Sequence, residues 1–200
     1  MKTLALELSS GRGSIAFVED EESGFAMDFA NDRKHSGVFF QTLERCLQEC
    51  GSPERIVVGL GPGSYAGTRI AIATATGLQA ATGALLLGLP SLCALPFDGA
   101  EYGVIGDARR QSFFYGRVRD RRCVEGPGLI MEAQLVEWLS GVTFPVFSAE
   151  ALERFASLPI MYPSATVLAK LTSGDSESLL SLEPIYLRDP YITRPRPVKV

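Results

Sequence analysis

The glycine-rich segment at residues 61–69, which reads Gly-Pro-Gly-Ser-Tyr-Ala-Gly-Thr-Arg, is the part of the sequence best suited to bind a ligand. We call it the glycine loop. A strand that ends at Leu60 and a helix that begins near Gly67 would aim unpaired backbone N–H groups and the positive helix end at one point, which suits an anion. The residues that could contact an anion or nucleotide there are Ser9, Ser10, Gly61, Gly63, Ser64, Thr68, Arg69 and Asp107.

The same glycines also have a purely structural explanation. Gly61 and Gly63 would permit a tight turn, and Gly67 would allow a close contact between the helix and a strand. The loop lacks the Lys-Ser/Thr pair of a phosphate-binding P-loop, and its glycines do not have the GxGxxG spacing of a dinucleotide fold. An anion site and a structural turn both remain open from the sequence.

Two acidic residues, Glu7 and Asp107, each end an apolar strand pattern and enter a turn that leads to a further strand. This repeated pattern predicts two lobes of related topology. Arg109 and Arg110 follow the second acid after a single residue, Ala108. They could bind phosphate, but an arginine beside an aspartate more often forms a surface ion pair.

The cysteines and the single histidine give little support to metal or disulfide chemistry. Cys46, Cys50, Cys93 and Cys123 form no CxxC pair, and His35 has a phenylalanine, not a second histidine, four residues further on. We expect reduced cysteines, with Cys46 and Cys50 packed in the core, no structural zinc site, and a helix-entry role for His35.

Hydrophobic periodicity predicts the elements that position these groups. Strands are predicted at 1–8, 14–19 and 24–30, a helix at 36–50, a strand at 55–60, a helix at 67–83 and a strand at 85–89. After the turn-rich residues 96–99 the pattern restarts, with strands at 103–107 and 112–118. Residues 1–97 therefore form a first lobe that carries the glycine loop, and residues 98–200 a smaller second lobe. In the second lobe, helices are predicted near 132–140, 149–157 and 165–173, before a Pro/Arg-rich tail from Asp189.

Composition and charge exclude several classes of protein. The chain has 200 residues, of which 46% are hydrophobic and 21% charged, as is typical of a soluble globular protein. The net charge of −4 provides no broad basic surface for nucleic acid. Glu7 interrupts the first hydrophobic run, and no apolar stretch reaches the ~20 residues that span a bilayer. We expect a cytoplasmic protein that does not bind membranes.

The second predicted helix has almost no solvated face, because residues 68–83 contain one charge, Arg69, and one other long polar side chain. Its own sheet can cover one side, and small residues let another helix approach closely on the other. Complete burial within the fold is the alternative. Adjacent phenylalanines widen the apolar stripe of the preceding helix. The predicted partner surface comprises Phe39, Phe40, Leu43, Leu47, Ile72, Ala75, Leu78 and Gln79.

Together with its flanks, the glycine loop resembles the signature of the TsaB (YeaZ) family. The loop is followed by Ile70, a small-residue helix and the run Leu-Gly-Leu-Pro-Ser-Leu at 87–92. Further similarity lies in Leu-Ala-Leu-Glu-Leu-Ser-Ser at 4–10, in Ile-Gly-Asp-Ala-Arg-Arg at 105–110 and in Pro-Ile-Tyr-Leu-Arg at 184–188. These segments cover most of the first lobe but only short, separate parts of the second.

The resemblance implies an α/β, actin-like ASKHA (ribonuclease H-like) fold, with two lobes of related β-β-β-α-β-α topology and a reduced second lobe. It also implies a non-catalytic scaffold. TsaB-like proteins bind TsaD, a metal-dependent paralogue that transfers threonylcarbamoyl to N6 of the adenosine 3′ of the anticodon in certain tRNAs, and the ATPase TsaE joins them.

Under this resemblance the chain has no cofactor of its own, since ATP, magnesium and the TsaD metal belong to its partners. It would contact tRNA only through the complex, and it would form a homodimer when alone. The basic residues of the tail, Arg194, Arg196 and Lys199, could touch tRNA or form a solvated end. We favour the solvated end.

Departures from the relatives argue against catalysis by this chain. TsaD-like relatives carry a His-x-x-x-His metal pair where this sequence has Ser91 and Leu95, and neither side chain can replace an imidazole. Most family members have aspartate in place of Glu7, whose extra methylene would move the carboxylate by ~1.5 Å. The alternative function is a small-molecule phosphotransferase or ATPase of the same superfamily, which would use the glycine loop for phosphate.

Overall fold

The computed structural model describes residues 1–20, 22–31, 36–172 and 182–188. Its first sheet has five strands in the order β3-β2-β1-β4-β5. They are β1 (Lys2–Glu7), β2 (Arg12–Glu19), β3 (Glu22–Ala30), β4 (Arg55–Gly59) and β5 (Leu85–Leu89). The first three form an antiparallel meander, whereas β4 and β5 run parallel to β1. The predicted strands of the first lobe are confirmed within a few residues at each end.

Helices cover both faces of this sheet. On one face, α1 (Ser36–Cys50) and α2 (Tyr65–Thr82) share a core with side chains of β1, β2 and β4. On the other face, α4 (Ala165–Leu171) packs its buried Leu168 against small residues of the same strands. The N–H of Ala165 also donates to Ser14 Oγ at 2.8 Å. The last described helix of the chain is therefore part of the first lobe's core, across the predicted boundary at residue 97.

The second sheet repeats the first in reduced form. Its order is β8-β7-β6-β9, built from β6 (Glu101–Asp107), β7 (Ser112–Arg119), β8 (Arg122–Met131) and β9 (Val146–Ser148). As in the first sheet, three antiparallel strands are followed by a helix, α3 (Glu132–Gly141), and by a parallel strand beside the first of the three. Within the described residues nothing corresponds to β5. The two related lobes of the actin-like fold are confirmed.

Two details of the second lobe differ from the prediction. The helix expected at 149–157 is wrong, because only a short 3-10 turn forms at Glu153–Phe155. The Glu150 carboxylate instead accepts the Asp107 N–H at 2.9 Å, and its own N–H bonds to Ser148 Oγ. The ten-residue strand β8 was not predicted, because Gly126-Pro127-Gly128 reads as a turn. Proline is tolerated there because β8 is an edge strand.

Two predicted features lie outside the described residues, namely His35 and the tail from Asp189. Within the described part of the chain, no helix combines the length and apolar character required to cross a membrane.

The faces of α2 differ from those expected. Ala71 and Ala75 are completely buried against the sheet, whereas Ala73, Thr76 and Gly77 are exposed. Ala75 therefore belongs to this chain's own core and is not part of a partner surface.

A matched pair of substitutions tests this orientation. Ala75→Glu should lower the free energy of unfolding by about 3 kcal/mol or more, because it buries a charge without a partner. Ala73→Glu, two residues away on the exposed face, should change it by less than about 0.5 kcal/mol. Urea unfolding of the two variants measures both values, and equal losses of stability would contradict the orientation.

Candidate functional site

The glycine loop joins β4 to α2 and lies directly against the residues that follow β1. A Cβ added at Gly63 would come within 2.1 Å of Ser9 O, and one added at Gly67 within 2.1 Å of Leu8 O. Only glycine permits such an approach of two backbones. Ser64, in extended conformation, is the N-cap of α2, and its Oγ accepts the Gly67 N–H at 3.3 Å. The structural explanation of the glycines therefore holds.

Several polar groups of the loop bond within the protein. The Gly61 N–H donates to Ser91 Oγ at 3.0 Å, and the Ser64 N–H donates to Ser9 O at 2.6 Å. Thr68 is buried, and the Arg69 guanidinium donates to the Tyr65 hydroxyl at the exposed start of α2. An anion at this loop would find fewer free donors than the sequence indicates.

The predicted contacts on the other side of the loop are also engaged. Ser9 and Ser10 are both buried. The Ser9 N–H donates to Glu7 Oε1 at 2.6 Å, and the Ser10 hydroxyl donates to Arg12 O at 2.8 Å. These bonds shape the turn between β1 and β2.

Glu7 is completely buried beneath the glycine loop. Its Oε2 has no hydrogen-bond partner, and both this atom and Ser91 Oγ lie over Gly59, where an added Cβ would meet them at 1.9 and 2.6 Å. Burial raises the pKa of Glu7 above its ordinary value of 4.5, an effect that hydrogen bonding by Ser9 and Ser91 only partly opposes. Burial therefore favours the neutral form of the Glu7 carboxyl group.

Asp107 occupies a different environment at the end of β6. One carboxylate oxygen accepts the Arg109 N–H at 2.7 Å and the other forms an ion pair with the Arg109 guanidinium at 2.8 Å. The predicted ion pair is therefore present. Asp107 lines the space between the lobes, whereas Glu7 does not. Glu7 is therefore enclosed within the first lobe, whereas Asp107 faces the cavity.

The space between the lobes is a cavity of about 240 Å³. The glycine loop and the start of α2 form one wall, and Asp107, Ala108 and Phe114 form another. A third wall comes from residues 184–188. In the sequence, residues 184–188 stand out only because they resemble a segment of the TsaB family. Ile185 and Leu187 are the only branched aliphatic side chains among them, and two such residues are too short a pattern to predict a buried segment.

The positions that correspond to the metal ligands of TsaD-like relatives serve this fold. Ser91 Oγ accepts the Gly61 N–H, and Leu95 is completely buried in the core beside Tyr102. Among the described residues, no group of three or more histidine, cysteine, aspartate or glutamate side chains could hold a metal ion.

The residues of the predicted partner surface divide into two sets. Phe39, Leu43 and Ala75 are buried in the first lobe's core, which corrects their proposed exposure to a partner. Phe40 is 50% exposed. Those that remain partly exposed are Leu47, Ile72, Leu78 and Gln79.

Comparison with known proteins identifies the family. The model for TsaD, described as tRNA N6-adenosine threonylcarbamoyltransferase, matches residues 28–132, more than half of the chain. The chain belongs to the TsaD family. Because TsaB-like proteins are paralogues of TsaD, this match agrees with the resemblance carried by the glycine loop.

Curated relatives match this TsaD-family chain over part of their own length. An uncharacterized protein of Mycobacterium leprae is 29% identical over 141 residues, which cover 68% of this chain and 38% of the relative. An uncharacterized protein of Mycobacterium tuberculosis is 31% identical over 144 residues, which cover 68% of this chain and 65% of the relative. The matched regions thus span less than two thirds of either relative.

Solved structures share the fold over almost the whole chain. YeaZ from Pseudomonas aeruginosa superposes with a TM-score of 0.71 at 21% identity, covering 93% of this chain and 99% of that one. A second Pseudomonas aeruginosa structure, described as similar to peptidase YEAZ, gives a TM-score of 0.75 at 21% identity, covering 94% and 99%. The fold of this TsaD-family chain is thus that of YeaZ, in agreement with the TsaB resemblance.

Replacement of Glu7 tests the neutral buried carboxyl. The pKa of Glu7 is raised in the folded state. The contribution of its neutral carboxyl to folding stability is therefore fully present below pH 4.5 and is lost as the pH rises through the folded-state pKa. Glu7→Gln keeps the shape and a donor without the charge, so at pH 8 it should be more stable than the native chain by about 1–3 kcal/mol.

Thermal unfolding from pH 5 to pH 9 measures this difference, with the exposed Glu153→Gln as the matched control. The Glu7 variant should lose less stability as the pH rises, and the control should follow the native curve. Parallel curves for all three proteins would show that Glu7 is not held neutral.

Proposed function

We propose that this chain is a non-catalytic cytoplasmic subunit that binds a TsaD-type transferase and enables it to transfer threonylcarbamoyl to N6 of the adenosine 3′ of the anticodon in tRNA. A TsaE-type ATPase is the third component. ATP, magnesium and the transferase metal belong to these partners, and tRNA meets this chain only through the assembly.

The observation that carries the proposal is the outer surface of α1 and α2, which lie on the same face of the first sheet. On α1, Phe40 is 50% exposed beside a shallow depression that the partly exposed Leu47 also lines. On α2, the exposed residues Ala73, Gly77 and Ala80 follow the spacing of one helical face. Small residues of this kind allow another helix to approach closely, while an exposed phenylalanine favours burial by a partner.

A non-catalytic role is supported by what the corresponding catalytic positions do here. Ser91 and Leu95 are engaged in the loop and in the core, respectively. Glu7 is enclosed beneath the loop. The interlobe cavity, at about 240 Å³, is smaller than the roughly 300–1,000 Å³ of most small-molecule sites. These features favour the scaffold over a phosphotransferase or ATPase. The same two-helix surface would join two copies when the transferase is absent.

The first test places one charge on the proposed surface. Ala73→Glu should weaken association with the TsaD-type protein of the same organism by about 100-fold or more, because a carboxylate would be buried without a partner. Calorimetric titration of the purified proteins measures the dissociation constant.

The matched control is Ala133→Glu, the same substitution at an exposed position on α3 of the second lobe. It should bind as the native chain does. Equal affinity of both variants and the native chain would place the interface elsewhere.

Gly77 offers a second test, because nothing lies within 4 Å of an added Cβ and the residue is inside a helix. Gly77→Ala should raise the free energy of unfolding of the isolated chain by about 0.5–1 kcal/mol. The same methyl group would separate two closely packed helices, so we expect weaker association with the transferase. Thermal unfolding and titration measure the two effects. A more stable variant with unchanged affinity would argue against close helix packing at this position.

A further inference from the structure

Residues 182–188, which we call the strap, form neither helix nor strand but contact both lobes. On the first lobe, Leu182 and Ile185 pack against the core beneath α1 and α2. The Ile185 N–H donates to Leu60 O at 2.8 Å. This carbonyl belongs to the last residue before the glycine loop, so the strap is attached where the loop leaves the sheet.

The other end of the strap is attached to the second lobe. Leu187 packs against the core that contains Tyr102 and Phe114 of the second sheet. The Arg188 guanidinium donates to Ser112 Oγ, and it also donates to Arg109 O at 3.3 Å. These contacts hold the strap to the turn between β6 and β7.

Between these anchors the strap crosses the opening between the lobes. The centroid of the Tyr186 ring lies 5.4 Å from the centroid of the Tyr65 ring. Tyr65 is the first residue of α2. Five consecutive strap residues, 184–188, line the interlobe cavity together with the glycine loop and Asp107. The strap is thus both a bridge between the lobes and one wall of the cavity.

We propose that the strap is a clasp that holds the two lobes closed over the interlobe cavity and, while attached, blocks access to that cavity. Its release would leave the lobes joined by α4 and by residues 91–97, which pack in the core of the second lobe and accept hydrogen bonds from Tyr102 and Arg121. The lobes would then open on the side of the cavity about this connection, while both sheets stay folded. Because the clasp contacts the start of α2, it would also couple closure of the lobes to the helix that presents the exposed small residues.

The contacts of the strap lie close to the protein surface, which fits a segment that opens locally. Its side chains at 182, 185 and 187 are only partly buried, and the Tyr186 ring is 49% exposed. Segments with few buried apolar contacts and exposed hydrogen bonds open at a lower free energy than core strands do. Hydrogen exchange of backbone amides can therefore detect the clasp in the full chain without any partner protein.

The test compares amide exchange in the native chain and in Leu187→Ala, measured by mass spectrometry. The variant removes apolar contacts between the strap and the second lobe. Amides of the glycine loop at 61–68 and of the turn at 107–112 should exchange about tenfold faster, while those of β4 stay unchanged. The exposed strap residue Glu183 supplies the control, because Glu183→Gln should exchange as the native chain does.

A second variant, Arg188→Ala, should not destabilise the whole protein, because the Arg188 side chain is exposed. It removes the hydrogen bonds to Ser112 and Arg109, so the turn at 107–112 should exchange faster while β4 keeps its native rate. Native exchange rates at this turn in Arg188→Ala would overturn the clasp, and so would native rates at the glycine loop in Leu187→Ala.

Discussion

The backbone of the glycine loop lies against the chain that leaves β1, and the position of α2 depends on this contact. At Gly63 and Gly67 there is no room for a side chain, since the carbonyls of Ser9 and Leu8 occupy the place of the Cβ atoms. The Ser64 N–H bonds to Ser9 O at 2.6 Å in the same region. Two glycines and one hydrogen bond therefore fix where the helix begins and which of its faces meets the sheet.

On the buried side of this contact, polar groups that the fold could use to bind a ligand are held within the protein. Glu7 lies under the loop with Gly59 and Ser91, so the acid at the end of β1 supports the loop from inside. Asp107 is engaged by Arg109 on the other side of the cavity. The strap bonds to Leu60, one residue before the loop, and lines the interlobe cavity together with Asp107. Groups that could have served a ligand thus serve the fold.

The sequence was sufficient for the lobes, because strand and helix periodicities and the acid at the end of each first strand repeat along the chain. It was not sufficient for the orientation of α2. A helix without charged residues after Arg69 has no polar face from which its buried side could be identified, so Ala75 and Ala73 look alike until the sheet is in place. The resulting change moves the proposed partner surface from Ala75 to Ala73, Gly77 and Ala80.

Other features escaped prediction for related physical reasons. Strand β8 contains Gly126-Pro127-Gly128, which resembles a turn unless the strand is known to lie at an edge. The strap has no regular periodicity of its own, because its side chains are distributed between two lobes that are distant in sequence. Glu7, the one buried carboxyl among the described residues, could be recognised as an unusual residue, but only the packing of Gly59 shows that it lies inside the first lobe.

The most direct measurement is reconstitution of tRNA modification with the TsaD-type and TsaE-type proteins of the same organism, in the presence and absence of this chain. Mass spectrometry of nucleosides from the digested tRNA gives the amount of threonylcarbamoyladenosine. A scaffold subunit predicts that the transferase modifies tRNA only when this chain is added and that this chain alone modifies none. Full modification without this chain, or modification by this chain alone, would contradict the scaffold function.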